Sequence, residues 1–179
     1  MTIHLARHGQ TAYNHEGRFQ GHLPVPLDDT GRRQAHELAD AAAKVEIVAF
    51  WCSPLARAKE TAAIVAARIG LQPREDARFA ETDTGDWTGR SFADVQAEDP
   101  EGFARFERSD PTFRYPGGES FGEQSDRVQA ALADLRSRPA ELPALVVCHR
   151  GVIRLALAAI TGDETAGGRE IPNAALVTL

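Results

Sequence analysis

The chain has 179 residues, of which 42% are hydrophobic and 26% are charged. We expect residues 1–179 to form a single globular domain, because this size and composition are typical of one domain with a sizeable core. Lys and Arg number 20 against 26 Asp and Glu, and the resulting net charge of −6 argues against nucleic acid or an anionic membrane surface as a partner.

The N-terminal residues and the cysteines bear on the compartment. The opening "MTIHLARHGQ" has no basic segment followed by an apolar core, so it does not resemble a signal peptide, and no apolar run is long enough to span a membrane. Cys52 and Cys148 each end an apolar run, where a small buried thiol fits, although a single disulfide stays open. We expect a reduced, cytoplasmic protein.

Predicted strands and helices alternate along the chain. In chain order they are a strand at 2–6, a helix at 29–45, a strand at 46–52, a helix at 53–70, a helix near 91–107 in an otherwise irregular stretch, a helix at 120–138, a strand at 144–148, a helix at 151–160 and a strand at 174–179. This alternation predicts an α/β sandwich with a mostly parallel sheet.

Three of the predicted helices carry a candidate N-terminal cap. Asp29 or Thr30 is expected to cap the helix at 29–45, and Ser53 the helix at 53–70. Ser120 is followed three residues later by Glu123, which is the pattern of a capping box.

Basic and imidazole side chains follow three of the predicted strands. Arg7 and His8 end the first strand, Arg57 follows the second by one helical turn, and His149 and Arg150 follow the strand at 144–148. Functional groups collect at the carboxyl ends of parallel strands, so we expect a site there. A lone histidine is more often a surface or satisfied core residue, which we expect of the remaining four: His4, His15, His22 and His36.

These residue types favour an anion over a metal ion. His8 and His149 with a carboxylate could ligate zinc, but permanently charged arginines would repel a cation, and no metal-binding motif is present. Guanidinium groups instead match phosphate oxygens. A cationic neighbourhood lowers the pKa of an imidazole and keeps it nucleophilic, so the pattern predicts phosphoryl transfer through a histidine.

The segment "RHGQTAYN" (7–14) resembles the RHGxTxxN signature of the histidine phosphatase superfamily, also called the phosphoglycerate mutase-like family. Further ordered blocks extend the resemblance over nearly the whole chain: "GRFQGHLPVPLDDTGRRQA" (17–35), "SPLARAKETA" (53–62), "FAETDTGDWTGRS" (79–91), "PGGES" (116–120) and "VVCHRGVIR" (146–154). The resemblance implies a three-layer α/β/α sandwich with a mixed, mostly parallel central sheet. We expect no metal or other cofactor.

The resemblance also implies roles for individual residues. His8 would be the nucleophile, forming a phosphohistidine through Nε2 while a backbone carbonyl holds its other ring nitrogen. The remaining implied contacts to phosphate or substrate are Arg7, Asn14, Gln20, Gly21, Arg57 and His149. Glu81 would be the general acid that protonates the leaving alcohol and then activates water. Asp83 and Asp86 compete for this role, but the E-x-x-x-G-x-W spacing favours Glu81.

Some positions depart from the family pattern. Arg150 stands where glycine is common after the second histidine, and either contacts a second anionic group of the substrate or points to solvent. Thr88 stands where the family often has a glutamate, and His22 stands where tryptophan is common. These two differences bear on which substrate is bound rather than on the chemistry. In "PGGES" we expect a turn leading into a capped helix, rather than a substrate contact through Glu119 and Ser120.

The favoured function is hydrolysis of a small phosphate ester. The short stretch between Glu81 and the "PGGES" turn leaves little room for the insertion that closes over the substrate in mutases of this family, and the compact length resembles the α-ribazole phosphatase-like branch. A phosphoglycerate mutase-type transferase is the alternative, and a non-catalytic binding protein is a third class. A homodimer through an edge strand or a helix pair stays open.

Overall fold

The computed structural model describes residues 2–162 and 170–179. The strands are β1 (Ile3–Arg7), β2 (Ala49–Cys52), β3 (Arg74–Glu75), β4 (Ala144–Cys148) and β5 (Leu176–Thr178). The helices are α1 (Ala12–His15), α2 (Asp29–Ala42), α3 (Ala56–Ile69), α4 (Phe92–Glu98), α5 (Pro100–Glu107), α6 (Phe121–Arg136) and α7 (Arg150–Thr161), with single 3₁₀ turns at Ala77–Phe79, Gly85–Trp87 and Pro139–Glu141.

The sheet has the order β3-β2-β4-β1-β5, with only β5 antiparallel to its neighbour. The mixed, mostly parallel sheet is confirmed. Because β1 and β4 are adjacent and parallel, Arg7 pairs in register with Cys148, and His8 N–H donates to the Cys148 carbonyl over 3.0 Å. The residues that follow these two strands therefore meet at one edge.

Alternation along the central strands divides the core into two layers. Ile3 and Val146 face α6 and α7, whereas Leu145 and Val147 face α2 and α3. Both faces of the sheet are thus covered by helices, which explains why β2 and β4 are continuous buried apolar runs. The predicted three-layer arrangement is confirmed.

Two of the predicted caps are wrong. Asp28, whose backbone is extended, caps α2 by accepting a hydrogen bond from Gly31 N–H, so neither Asp29 nor Thr30 does. Ser53 lies before α3, which begins at Ala56 and has no side-chain cap. The capping box of Ser120 and Glu123 on α6 is confirmed.

The predicted helix near 91–107 is two helices. Pro100 lacks an N–H and disfavours a helical backbone at the residue before it, so α4 ends before Asp99. Asp99 then caps α5 by accepting from Gly102 N–H over 2.8 Å. Rings of α4 and α5 pack with rings from other parts of the chain in a third core cluster, defined here as the aromatic cluster: Phe19, Trp87, Phe92, Phe103, Phe106, Phe113, Tyr115 and Phe121.

Cys52 and Cys148 are both buried and free, so the two cysteines do not form a disulfide with each other. Among the described residues, no helix is both long and apolar enough to cross a membrane.

Candidate active site

A cavity of about 580 Å³ opens at the carboxyl ends of the central strands. It brings together eight of the predicted site residues: Arg7, His8, Asn14, Gln20, Gly21, Arg57, Glu81 and Arg150. Its far wall carries rings of the aromatic cluster, so the cavity combines a polar floor with an apolar side.

His8 lies on the floor, with only 3% of its surface exposed. Its Nδ1 is 2.7 Å from the Gly9 carbonyl, which only accepts hydrogen bonds, so Nδ1 carries the proton and Nε2 keeps its lone pair. Burial, and next the charges of Arg57 and Arg7, lower the pKa of His8 well below its ordinary value. The imidazole is therefore neutral at neutral pH.

Close backbone packing fixes the loop that follows His8. A Cβ on Gly9 would collide with the Gly31 carbonyl at the start of α2. Gly9 N–H donates to Thr61 Oγ1 on α3 over 3.1 Å, and Asn173 Nδ2 donates to the His8 carbonyl over 3.1 Å. The sequence reasoning missed Thr61 and Asn173, which are distant in the chain from His8.

His149 lies beside His8, with a distance of 5.1 Å between the ring centroids. It is fully buried and is not among the residues that line the cavity. Its Nε2 is 2.7 Å from Ser53 Oγ, whereas its buried Nδ1 has no partner within the described residues. Burial, and next the charge of Arg57, lower the pKa of His149 well below its ordinary value.

Arg57 and Arg7 supply the fixed positive charge beside His8. Arg57, only 1% exposed, donates through Nη2 to the Gly21 carbonyl over 2.9 Å, and Arg7 donates through Nη1 to the Ile171 carbonyl over 2.5 Å. The buried Nε of each has no partner within the described residues. Burial lowers the pKa of each guanidinium to about 10, which still leaves both charged at neutral pH.

Asn14 and Gln20 are held by the loop after β1. Asn14 Oδ1 accepts hydrogen bonds from Thr11 N–H and from Asn173 Nδ2. The Thr11 hydroxyl has a single proton, and Gln20 Oε1, 2.9 Å away, has it as its donor. The side-chain oxygens of both amides are therefore occupied, and both residues line the cavity.

Of the three competing acids, Glu81 lines the cavity, whereas Asp83 and Asp86 are exposed and do not line it. Its Oε1 accepts from Thr82 N–H and from Gln124 Nε2, and its Oε2 accepts from Gly151 N–H at the start of α7. A Cβ on Gly151 would collide with Glu81 Oε1. The motif glycine after Arg150 thus makes room for the carboxylate.

The four histidines set aside in the sequence analysis lie outside the cavity wall. His4 is buried and bonded to Thr178 Oγ1, and His15 and His36 are exposed. His22 donates through Nε2 to the Glu81 carbonyl over 2.7 Å. Thr88 Oγ1 bonds Thr84 Oγ1.

The "PGGES" turn behaves as expected. Ser120 caps α6, and Glu119 forms an ion pair with Arg127 at 2.6 Å. Neither Glu119 nor Ser120 is among the residues that line the cavity.

Fold and site together define an α/β protein with a cavity lined by several arginines and by His8. Within the described residues, no group of three or more His, Cys, Asp or Glu side chains is placed to hold a metal ion. The model of the histidine phosphatase superfamily (branch 1) matches residues 3–179, and the chain belongs to this superfamily.

Known relatives and structures are similar over most of the chain. Phosphoglycerate mutase-like protein 4 of Arabidopsis thaliana is 36% identical over 155 residues, which is 85% of this chain and 67% of that protein. The mycobacterial glucosyl-3-phosphoglycerate phosphatase, solved with VO3, aligns with a TM-score of 0.89 and 32% identity, covering 99% of this chain and 90% of that one. The α-ribazole phosphatase of Shigella flexneri aligns with a TM-score of 0.87 and 29% identity, covering 99% of this chain and 89% of that one.

Proposed function

We propose that this protein hydrolyses small phosphate monoesters through a phosphohistidine on His8. The observation that carries the proposal is the fixed tautomer of His8: the Gly9 carbonyl accepts a hydrogen bond from Nδ1–H, which leaves the Nε2 lone pair free in a cavity that Arg7 and Arg57 also line. A neutral imidazole in a cationic pocket is suited to attack phosphorus, because it is unprotonated while the phosphate charge is balanced.

The first step transfers the phosphoryl group to the protein. His8 Nε2 forms a bond to phosphorus as the P–O bond to the alcohol breaks, and protonated Glu81 gives its proton to the leaving oxygen. Arg7 and Arg57 hold the phosphoryl oxygens, and Asn14 and Gln20 donate through their amide NH₂ groups. His149 does not line the cavity, but its ring lies 5.1 Å from that of His8 and its Nδ1 lacks a partner within the described residues, so this nitrogen is the one assigned to donate to the phosphoryl group on His8.

The second step returns His8 to its starting state. Glu81, now a carboxylate, takes a proton from water, which attacks phosphorus and breaks the P–N bond. Inorganic phosphate leaves, and Glu81 is protonated again, so the cycle consumes one water for each ester.

Gly21 contributes to both steps through its carbonyl, which accepts a hydrogen bond from Arg57 and holds that guanidinium in place.

The test is a panel of phosphate monoesters assayed for free phosphate without added metal. We expect release that is abolished by His8→Ala and retained by His36→Ala, a control at an exposed histidine outside the cavity. Glu81→Gln should slow esters with high-pKa leaving alcohols more than aryl esters. Activity that survives His8→Ala, or equal slowing by Glu81→Gln across leaving groups, would overturn the mechanism.

The second candidate is a mutase, which the likeness to a phosphoglycerate mutase-like relative favours. A mutase must return the phosphoryl group to a bound acceptor rather than to water. We therefore include 3-phosphoglycerate with 2,3-bisphosphoglycerate in the panel. Isomerisation without phosphate release would replace the hydrolase by the mutase.

A further inference from the structure

Arg150 and Arg154 lie one turn apart on α7, and both line the cavity that contains His8. Neither guanidinium has a carboxylate within 4.0 Å among the described residues, although most arginines on the rest of the surface form such ion pairs. The reaction proposed above uses neither side chain. Their charge thus needs another explanation.

Placing two like charges four residues apart on a helix is unfavourable in the free protein. Arg154 is also half-buried, and burial followed by the charge of Arg150 lowers its pKa to about 10. Arg154 is nevertheless held in place, because its Nη2 donates to Ser109 Oγ over 2.8 Å. An anionic ligand would relieve the repulsion.

The charges of the cavity exceed what one phosphoryl group requires. A phosphate dianion is balanced by Arg7 and Arg57, and Arg18 is paired with Glu16. Arg150 and Arg154 then face only Glu81 and Asp126 as acids of the cavity wall. With Glu81 protonated, as the first step of the proposed reaction requires, only Asp126 of these two acids offsets the two arginines, so a substrate with one phosphate would leave this end of the cavity cationic.

The cavity also has the space and the surface for a longer substrate. Its volume of about 580 Å³ is in the range of sites for organic ligands rather than for a free phosphate ion. Phe106, Phe121 and Leu155 line the same cavity as the two arginines and offer an apolar surface for the carbon skeleton of an ester.

We propose that Arg150 and Arg154 form a second anion subsite, so that the preferred substrate is a phosphate monoester whose alcohol part carries a carboxylate or a second phosphate. This inference rests on the proposed phosphatase activity. For Arg150, it favours contact with a second anionic group of the substrate over a side chain that points to solvent.

The test uses esters that differ in the second anion. Glycerol 3-phosphate has none, 3-phosphoglycerate has a carboxylate, and 1,3-propanediol bisphosphate has a second phosphate. We expect the wild type to show a kcat/KM for at least one anionic ester about tenfold or more above that for glycerol 3-phosphate. The preferred member tells whether the subsite takes carboxylate or phosphate.

The variants are Arg150→Met, Arg154→Met and the double change. We expect half-buried Arg154→Met to reduce the preference about tenfold, mainly through KM, and exposed Arg150→Met to reduce it by less. The double variant should treat the anionic and neutral esters nearly alike. Arg68→Met is the control, since Arg68 lies at the end of α3 that is remote from Arg57, outside the cavity wall.

The failures are distinguishable. If no ester releases phosphate in the wild type, the proposed function is overturned. If phosphate is released but the wild type has no preference for an anionic ester, or the variants slow all esters equally, the subsite is overturned and the phosphatase stands.

Discussion

Gln124 Nε2 donates a hydrogen bond to Glu81 Oε1 over 3.1 Å, across 43 residues of sequence. Gln124 is fully buried in α6, and its own amide oxygen accepts from the Thr82 hydroxyl. Because a hydroxyl donor faces the amide oxygen, the NH₂ group must face the carboxylate. The carboxylate is thus oriented by a side chain whose own orientation is fixed.

This relationship predicts that Gln124 positions Glu81 without touching the substrate. Gln124→Met keeps the volume but removes the donor, and we expect kcat to fall about tenfold for an alkyl phosphate, since a hydrogen bond to a charged group contributes about 1.5 kcal/mol or more. For p-nitrophenyl phosphate the fall should be a few-fold only, because that leaving group hardly needs a proton. Steady-state assays on the two esters measure the difference.

Gln129→Met, on the same helix but outside the cavity wall, is the matched control and should leave the ratio of the two rates unchanged. Loss of folding is monitored by the thermal midpoint of each variant. Equal slowing of both esters by Gln124→Met would contradict a positioning role.

A second prediction concerns Gly151. In Gly151→Ala the new Cβ would meet Glu81 Oε1 and approach Gln124 Nε2 at 3.0 Å, so the carboxylate must move. A displacement of about 1 Å at a reacting group can cost on the order of 100-fold in rate, and we expect kcat to fall by 10- to 100-fold.

Gly122→Ala is the matched control, because it also changes a helical glycine of the cavity wall, and its Cβ would find Ser120 Oγ no nearer than 3.8 Å. Alkyl phosphate turnover should stay within a few-fold of the wild type. A Gly151→Ala protein with wild-type turnover would show that the contact with Glu81 is not needed.

The sequence predicted the groups that local pattern determines. Arg7, His8 and Arg150 follow strands that apolar runs and helix signals define, so the sequence alone predicts that they meet. Gln124 and Asn173 were missed because their function depends on partners 43 and 165 residues away. The local signal for such a residue is a glutamine on the apolar face of a helix: Gln124 lies four residues before Val128, in line with Leu132.

The same limit applies to the errors in secondary structure. Asp28 and Asp29 are both good caps by type, and only the extended backbone of Asp28 decides between them. Ser53 has the chemistry of a cap but forms a hydrogen bond with His149 Nε2, an interaction between two strand ends. Local backbone conformation decided the first case and a tertiary contact the second.

A third prediction follows from the two buried imidazoles of the site, His8 and His149. Folding lowers the pKa of His8 and of His149 below the value of about 6.5 expected in the unfolded chain. Between the folded and unfolded values the unfolded chain binds more protons, so the free energy of unfolding decreases as the pH falls below about 6.5. Each histidine contributes a slope of up to about 1.4 kcal/mol per pH unit, and neither contributes above pH 7.

Urea unfolding between pH 5 and pH 7.5 in a phosphate-free buffer measures this slope. His8→Gln removes one of the two groups and should reduce the slope by about 1.4 kcal/mol per pH unit. His4, whose pKa is lowered by burial, remains in both proteins and does not affect the comparison. Identical slopes would mean that His8 titrates normally in the folded chain.

The fourth prediction concerns the helix that carries Gln124. Ser120 Oγ accepts from Glu123 N–H over 3.1 Å, and Glu123 Oε2 accepts from Ser120 N–H over 2.9 Å. Ser120→Ala leaves the N–H of Glu123, the third residue of α6, without its partner and should cost about 1 kcal/mol, a decrease of about 2–4 °C in the thermal midpoint. Ser125→Ala is the control, since alanine in a helix interior is neutral or favourable. If Ser120→Ala is no less stable than Ser125→Ala, water replaces the cap at no cost and the capping box does not stabilise α6.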